Sequence, residues 1–186
     1  VDENATDLFI GIPFCPSRCS YCSFVSNVVS AEKHLTEYVD ALCKEIENAK
    51  PLIKKLNSVY IGGGTPVSLP TDLLEKILVS VGAVDCEYTV EAGRPDCIDD
   101  TVLTLLKKYG VTRICVNPQT FNDKTLELIG RKHTGDDIKV KFTLAKKYGF
   151  DVNMDLIAGL PEETFEDFRY SLDTAVSLSP DDVTVH

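Results

Sequence analysis

The chain has 186 residues, 44% of them apolar, enough to bury the core of one ordinary domain without disulfide staples. Nineteen basic against 29 acidic residues give a formal net charge of −10, which repels nucleic acid phosphates and anionic membranes, and Lys54 and Lys55 form the only notable basic pair before Lys107. No apolar run reaches the roughly 18 residues of a membrane span and no charged-then-apolar leader opens the chain, so a cytoplasmic protein that neither binds nucleic acid nor spans a membrane is expected.

The first strand is predicted over 8–13, and the loop that follows it carries Cys15, Cys19 and Cys22. Thiolates spaced four and then three residues apart wrap three corners of a 4Fe–4S cube and leave the fourth iron without a protein ligand, open to substrate chemistry. A zinc site completed by His34 or His133, and inert buried thiols, are the alternatives. A helix over 33–50 follows, with Leu35, Tyr38, Val39, Leu42, Cys43 and Ile46 on one stripe and Glu37, Asp40, Lys44 and Glu47 facing outward.

The second strand, over 58–61, runs into Gly62-Gly63-Gly64-Thr65. Residues without side chains let the backbone approach a ligand closely and Thr65 adds a hydroxyl; a tight strand-to-helix turn is the plainer account. Leu73, Leu74, Ile77, Leu78 and Val81 mark the next helix. The third strand, over 87–91, ends on Glu91, the fourth, over 113–117, leads to Gln119, and the fifth, over 152–158, contains Asp155. Polar groups at such places are costly unless they bind something, so these three point to one polar site. The alternative is an internal Glu91–Arg131 ion pair with Asp155 capping a loop. Gly110 and Gly149 sit where left-handed helix caps are expected, Phe165, Phe168, Leu172 and Val176 mark a last helix, and a strand over 182–186 closes the chain.

Alternating strands and helices imply an α/β fold with parallel strands and right-handed crossovers, either doubly wound or barrel-like. Six units suit a partial barrel, with its chemistry at the carboxyl ends of the strands. Residues 1–186 are read as one domain; the start at Val1 and the stop at His186 suggest a piece of a longer chain. Seven cysteines without a secretory signal favour reduced thiols or metal ligands. Cys43, Cys86, Cys97 and Cys115 are read as structural, and His133 as a solvated or helix-end residue that alternatively shuttles protons or binds haem.

Cys15-x3-Cys19-x2-Cys22 with Tyr21 before the last cysteine resembles the radical S-adenosylmethionine (SAM) superfamily. Tyr60-Ile61-Gly62-Gly63-Gly64-Thr65-Pro66, Val90-Glu91-Ala92, Asn117-Pro118-Gln119-Thr120-Phe121-Asn122, Ile129-Gly130-Arg131-Lys132-His133-Thr134 and Asp155-Leu156-Ile157-Ala158-Gly159-Leu160-Pro161 are similar to its oxygen-independent coproporphyrinogen III oxidase-like group. The resemblance implies a partial (β/α)6 TIM-like barrel that holds a 4Fe–4S cluster on Cys15, Cys19 and Cys22. It implies SAM bound by Phe9, Tyr21, Gly63, Gly64, Thr65, Glu91, Gln119, Arg131 and Asp155, and an electron donor such as a flavodoxin or ferredoxin. The implied reaction cleaves SAM to a 5'-deoxyadenosyl radical that drives decarboxylation of coproporphyrinogen III in haem biosynthesis. The oxidase itself has a fourth cysteine where Phe24 stands, and a tyrosine and a histidine at Phe9 and Gly11. Glu91-Ala92-Gly93-Arg94-Pro95 and Asn117-Pro118-Gln119 lean towards the coproporphyrinogen dehydrogenase branch; a haem-carrying chaperone and a radical SAM enzyme with another substrate are the alternatives.

Overall fold

The computed structural model describes residues 4–24, 27–28 and 32–186. In chain order its elements are β1 (Ala5–Ile12), β2 (Phe14–Cys15), β3 (Asn27–Val28), α1 (Glu32–Ala49), β4 (Lys55–Gly63), α2 (Thr71–Val81) and β5 (Glu87–Gly93). These are followed by α3 (Asp100–Lys108), β6 (Arg113–Val116), α4 (Asp123–Leu128), α5 (Gly135–Lys147), β7 (Asp151–Leu156), α6 (Phe165–Ser177) and β8 (Asp182–Val185). The main sheet has the order β1-β4-β5-β6-β7-β8, and every neighbouring pair is parallel. Spatial order follows chain order, so each crossover steps the same way and no switch point appears. That decides between the two expected architectures: the helices gather on one face and the sheet curls into a partial barrel.

Period-two alternation sorts the strand residues between two environments. Ile10, Ile12, Val59, Ile61, Tyr88, Val90, Ile114, Val116, Val152, Met154 and Leu156 are buried on the helix-covered face. There they meet the apolar stripes of α1 (Leu35, Val39, Ile46), α2 (Leu74, Ile77, Leu78) and α3 (Leu103, Leu106), all at most 4% exposed. Each such fully buried side chain contributes about 1.5–3 kcal/mol. The alternate residues Phe9, Tyr60, Thr89, Glu91, Cys115, Asn153, Asp155 and Thr184 line a cavity inside the curl. A closed eight-stranded barrel fills that space with branched apolar layers; here the lumen is open and carries polar side chains among its apolar ones.

The left-handed turns at Gly110 (φ 79°) and Gly149 (φ 72°) end α3 and α5 as expected. Thr134 and Thr164 start α5 and α6 with reciprocal capping boxes to Asp137 and Asp167. The α6 stripe is a correction: Phe165 is 73% and Val176 58% exposed, while Phe168 and Leu172 pack half-buried on the core. The helix lies over the β7–β8 end of the sheet, where β8 is the edge strand and its outer side has nothing to pack against among the described residues. No helix among the described residues is long and apolar enough to cross a membrane.

Candidate active site in the barrel lumen

The thiols of Cys15, Cys19 and Cys22 rim one cavity of about 720 Å³ that continues down the lumen to Thr89, Asn153 and Thr184. The short pairing of β2 with β3, Phe14 to Asn27 and Cys15 to Val28, begins the loop, and Ser20 N–H donates to the Ile129 carbonyl (3.1 Å) near its end. All three cysteines are part-exposed and unbridged. Among the described residues no three Cys, His, Asp or Glu side chains converge as a ready-made metal nest, these thiols included. Their fit to an iron–sulfur cluster rests on donor chemistry, three soft thiols on the rim of one cavity. His34 is exposed on α1 and His133 is buried elsewhere, and neither lines the cavity; His186 does, after β8.

The glycine turn also makes a close approach inside the protein. A Cβ on Gly64 would stand 2.4 Å from the Phe14 carbonyl oxygen and 2.9 Å from that of Ile12. The amides of Gly64 and Thr65 donate to those same carbonyls, each at 2.7 Å. This approach is to the start of the cysteine loop, which the turn after β4 carries on its backbone. Gly63, at φ 114°, gives its amide to Glu91 Oε2 (3.0 Å), and Thr65 Oγ1 lies 3.6 Å from Cys15 Sγ. Gly63, Gly64 and Thr65 still face the cavity.

Glu91 and Arg131 are not an ion pair. Glu91 accepts from Tyr60 Oη (2.5 Å) and the Gly63 amide, whereas Arg131 donates to the Asn117 carbonyl (2.5 Å) and Tyr21 Oη (3.1 Å). Burial pushes the Glu91 carboxyl above the usual range, Asp155 adds to this, and the bonds from Tyr60 and Gly63 hold part of it back. Asp155 accepts from Asn153 Nδ2 (2.7 Å) beside it in the lumen rather than capping a loop. Burial, then Glu91 and Asp155, push the Cys115 thiol up to about 12; it lies 3.9 Å from Tyr60 Oη, so it lines the lumen instead of only filling the core. Phe9, 65% exposed at the lumen wall, stacks on Tyr60 with centroids 6.0 Å apart.

Gln119 is 7% exposed and has φ 67°, a left-handed backbone that a non-glycine residue adopts only when its surroundings over-determine it. They do so here: its amide donates to the Asp155 carbonyl and its carbonyl accepts from Ile157, both at 2.9 Å. Gln119 Oε1, Asn117 Oδ1 and Arg131 Nε are buried without a partner, and all three residues line the cavity. Orphaned polar atoms of this kind call for a polar ligand, because an unmade bond costs about 1–3 kcal/mol.

Arg94, Asn117 and Tyr60 were not singled out as site residues from the sequence. Arg94 follows the same rule that identified Glu91, a polar group at the end of an apolar strand. Tyr60 required the register that turns it inward. His133 stands at a helix end, as expected, but is not solvated: it is 5% exposed at the entry to α5, both ring nitrogens lack hydrogen bonds, and Nδ1 lies 3.6 Å from Asp96 Oδ1. Cys43 is buried against the Lys76 carbonyl, while Cys86 and Cys97 are only partly buried.

The raised Glu91 pKa carries a prediction with its sign. A buried carboxyl whose folded pKa exceeds its unfolded one stabilises the fold below the unfolded value, and that contribution is lost as pH rises through the folded pKa. At neutral pH Glu91→Gln is therefore expected to raise the unfolding temperature of the ligand-free protein. Loss of a charge-assisted hydrogen bond weakens binding of a cationic ligand by about ten- to hundredfold. Thermal unfolding and SAM titration calorimetry on the same variant check both directions.

The family model of the radical SAM superfamily matches residues 9–175. The chain is 37% identical over 196 residues to the oxygen-independent coproporphyrinogen-III oxidase-like protein HemZ of Bacillus subtilis, covering 99% of this chain and 39% of that protein. It is 36% identical over 187 residues to the heme chaperone HemW of the same organism, covering 96% and 49%. Among solved structures, coproporphyrinogen III oxidase (HemN) from Escherichia coli, described as a radical SAM enzyme, superposes with a TM-score of 0.87 at 30% identity, over 96% of this chain and 43% of that one. The chain thus spans less than half the length of these relatives.

Proposed function

This chain belongs to the radical SAM superfamily, whose cofactors are a 4Fe–4S cluster and SAM, and we propose that it is the catalytic core of a coproporphyrinogen III-decarboxylating enzyme of that family. The observation that carries the reading is one lumen with three free thiols at its rim and orphaned polar atoms below them. Once bound, the cluster would supply the electron for reductive cleavage of SAM, and the substrate propionate would then give up a hydrogen atom to the 5'-deoxyadenosyl group, carbon dioxide, and one electron to an external one-electron acceptor, leaving a vinyl group.

The chain's own residues bind and shield. Cys15, Cys19 and Cys22 are assigned the iron ligands. Glu91, with Asp155 behind it, holds the cationic amino group of SAM, and Arg131 and Gln119 turn their unused Nε and Oε1 to its carboxylate and hydroxyls. The Gly63-Gly64-Thr65 turn keeps its backbone against the methionyl end, while Tyr21 and Phe9 offer rings to the apolar parts. Burial raises the Tyr21 hydroxyl to about 12 against the pull of Arg131, so it stays protonated as a donor. A flavodoxin or ferredoxin supplies electrons.

Similarity to the heme chaperone HemW at nearly the same identity as to HemZ supports a second reading, haem delivery. One experiment separates the two. Full-length protein, reconstituted anaerobically and reduced, is expected to form 5'-deoxyadenosine and to convert coproporphyrinogen III to protoporphyrinogen IX by chromatography. Tight haem binding with no porphyrinogen turnover would establish the chaperone, and absence of SAM cleavage with an intact cluster would remove the enzymatic reading.

A further inference from the structure

The loop that bears the cysteines reaches the barrel through a buried cation. Arg94, 3% exposed at the carboxyl end of β5, is gripped by Asp96 in a fork, Nε to Oδ1 at 3.1 Å and Nη2 to Oδ2 at 3.2 Å. The third arm, Nη1, donates to Ser17 Oγ at 2.6 Å, across 77 residues of sequence. Ser17 lies midway between Cys15 and Cys19. Arg94 and Ser17 line the same cavity as the three thiols. His133 Nδ1 stands 3.6 Å from Asp96 Oδ1, the same oxygen that accepts from Arg94 Nε.

A guanidinium cannot shed its charge when buried, so a chain that keeps one at 3% exposure must spend its donors well. Here two donors fix the plane on Asp96 and the remaining arm is aimed at the stretch that sets the separation of two thiols. Groups that orient metal ligands from behind are worth about ten- to hundredfold in metal affinity. The guanidinium end of the pair, nearer the loop than the Asp96 carboxylate it bonds, also favours the more negative, reduced form of whatever the thiolates hold.

We propose that Arg94 is a positioning residue for the cysteine loop: held by Asp96, it fixes Ser17, sets the spacing of Cys15 and Cys19, and turns the positive end of the Arg94–Asp96 pair towards the iron–sulfur cluster. The inference rests on the cysteine assignment of the preceding subsection and adds what orders the loop and tunes its potential.

The test uses the full-length protein, reconstituted anaerobically and compared with Ser17→Ala, Arg94→Lys and Arg94→Gln. Ser17→Ala removes the loop contact while leaving the buried Arg94–Asp96 pair intact, so it does not depend on whether Arg94→Gln folds. Iron release to a chelator is expected to be about tenfold faster in Ser17→Ala and in both Arg94 variants, the lower end of the range for groups behind a metal ligand. The midpoint potential of the cluster, followed by electron paramagnetic resonance, is expected to move to more negative values in Arg94→Gln and to stay near that of the parent protein in Arg94→Lys, which keeps the charge without the fork. A merely structural role would lower the unfolding temperature without moving the potential. Wild-type iron retention in Ser17→Ala overturns the anchor, and an unmoved potential in folded Arg94→Gln overturns the electrostatic part. A parent protein that takes up no 4Fe–4S cluster overturns the cysteine assignment instead, which the Arg94 results cannot mimic.

Discussion

Replacing Cys19 with alanine is expected to abolish formation of 5'-deoxyadenosine and to leave the reconstituted protein without the iron and sulfide of a 4Fe–4S cluster. Three thiolates are the whole of the protein's contribution to such a cluster, so removing one leaves two corners held and two irons open to solvent. Cys22→Ala is expected to behave alike. Cys43→Ala is the control, since that thiol is buried between α1 and α2 at 8% exposure and makes only a 3.7 Å contact to the Lys76 carbonyl. It is expected to keep the cluster and to lose only the stability of a small truncated core side chain. Metal analysis for both iron and zinc on each variant decides the matter. Zinc in the parent protein, absent from Cys19→Ala, with iron in neither, would overturn the cluster reading.

The second large effect is expected from a single methyl group. Gly64→Ala places a Cβ 2.4 Å from the Phe14 carbonyl oxygen, a distance real Cβ atoms do not adopt. The obstacle is backbone rather than the end of a flexible side chain, so relief requires the turn after β4 and the start of the cysteine loop to separate. Two hydrogen bonds, from Gly64 to Ile12 and from Thr65 to Phe14, span that contact and would lengthen with it. Overpacking of this kind costs about 1–3 kcal/mol and each strained backbone bond adds about 1 kcal/mol. The movement falls one residue before Cys15, so cluster uptake should fail even in the fraction that folds. Gly149→Ala separates sterics from conformation: its φ is 72° but nothing lies within 4 Å of the added Cβ. That variant is expected to cost about 1–2 kcal/mol through the left-handed backbone alone and to load its cluster normally. Denaturant unfolding gives the first comparison and absorbance of the reconstituted cluster the second. Equal cluster loading by the two variants would show that the turn does not support the cysteine loop.

Much of this molecule is legible along the chain because its information is local. The strands of 58–61 and 87–91 announce themselves by apolar residues at alternate positions, and the stripes of α1 and α2 by recurrence every three or four residues. The cysteine loop is legible for the same reason, three thiols within eight residues needing no long-range fact to bring them near one another. Glu91 and Asp155 stand out as charges in apolar strands. The stripe at Phe165 and Val176 misleads because periodicity reports that a face is apolar, not that anything covers it. His133 misleads in the opposite direction: an isolated histidine before a helix cap looks solvated until α5 folds it against Asp96.

What the sequence by itself determined is therefore the alternation of strand and helix, the parallel class of the sheet, the cysteine loop and the polar residues near the strand ends. What only the tertiary structure decided is which partners those residues take. Glu91 bonds to Tyr60 and Gly63, not Arg131; the glycine turn approaches the cysteine loop; Gln119 is held left-handed by Asp155 and Ile157; and Arg94 reaches Ser17 across 77 positions. The physical reason is that residue type fixes what a group needs, a hydrogen bond, a counter-charge or a dry surface. The register and curl of the sheet set distances between groups far apart in the chain, and those distances decide who supplies it.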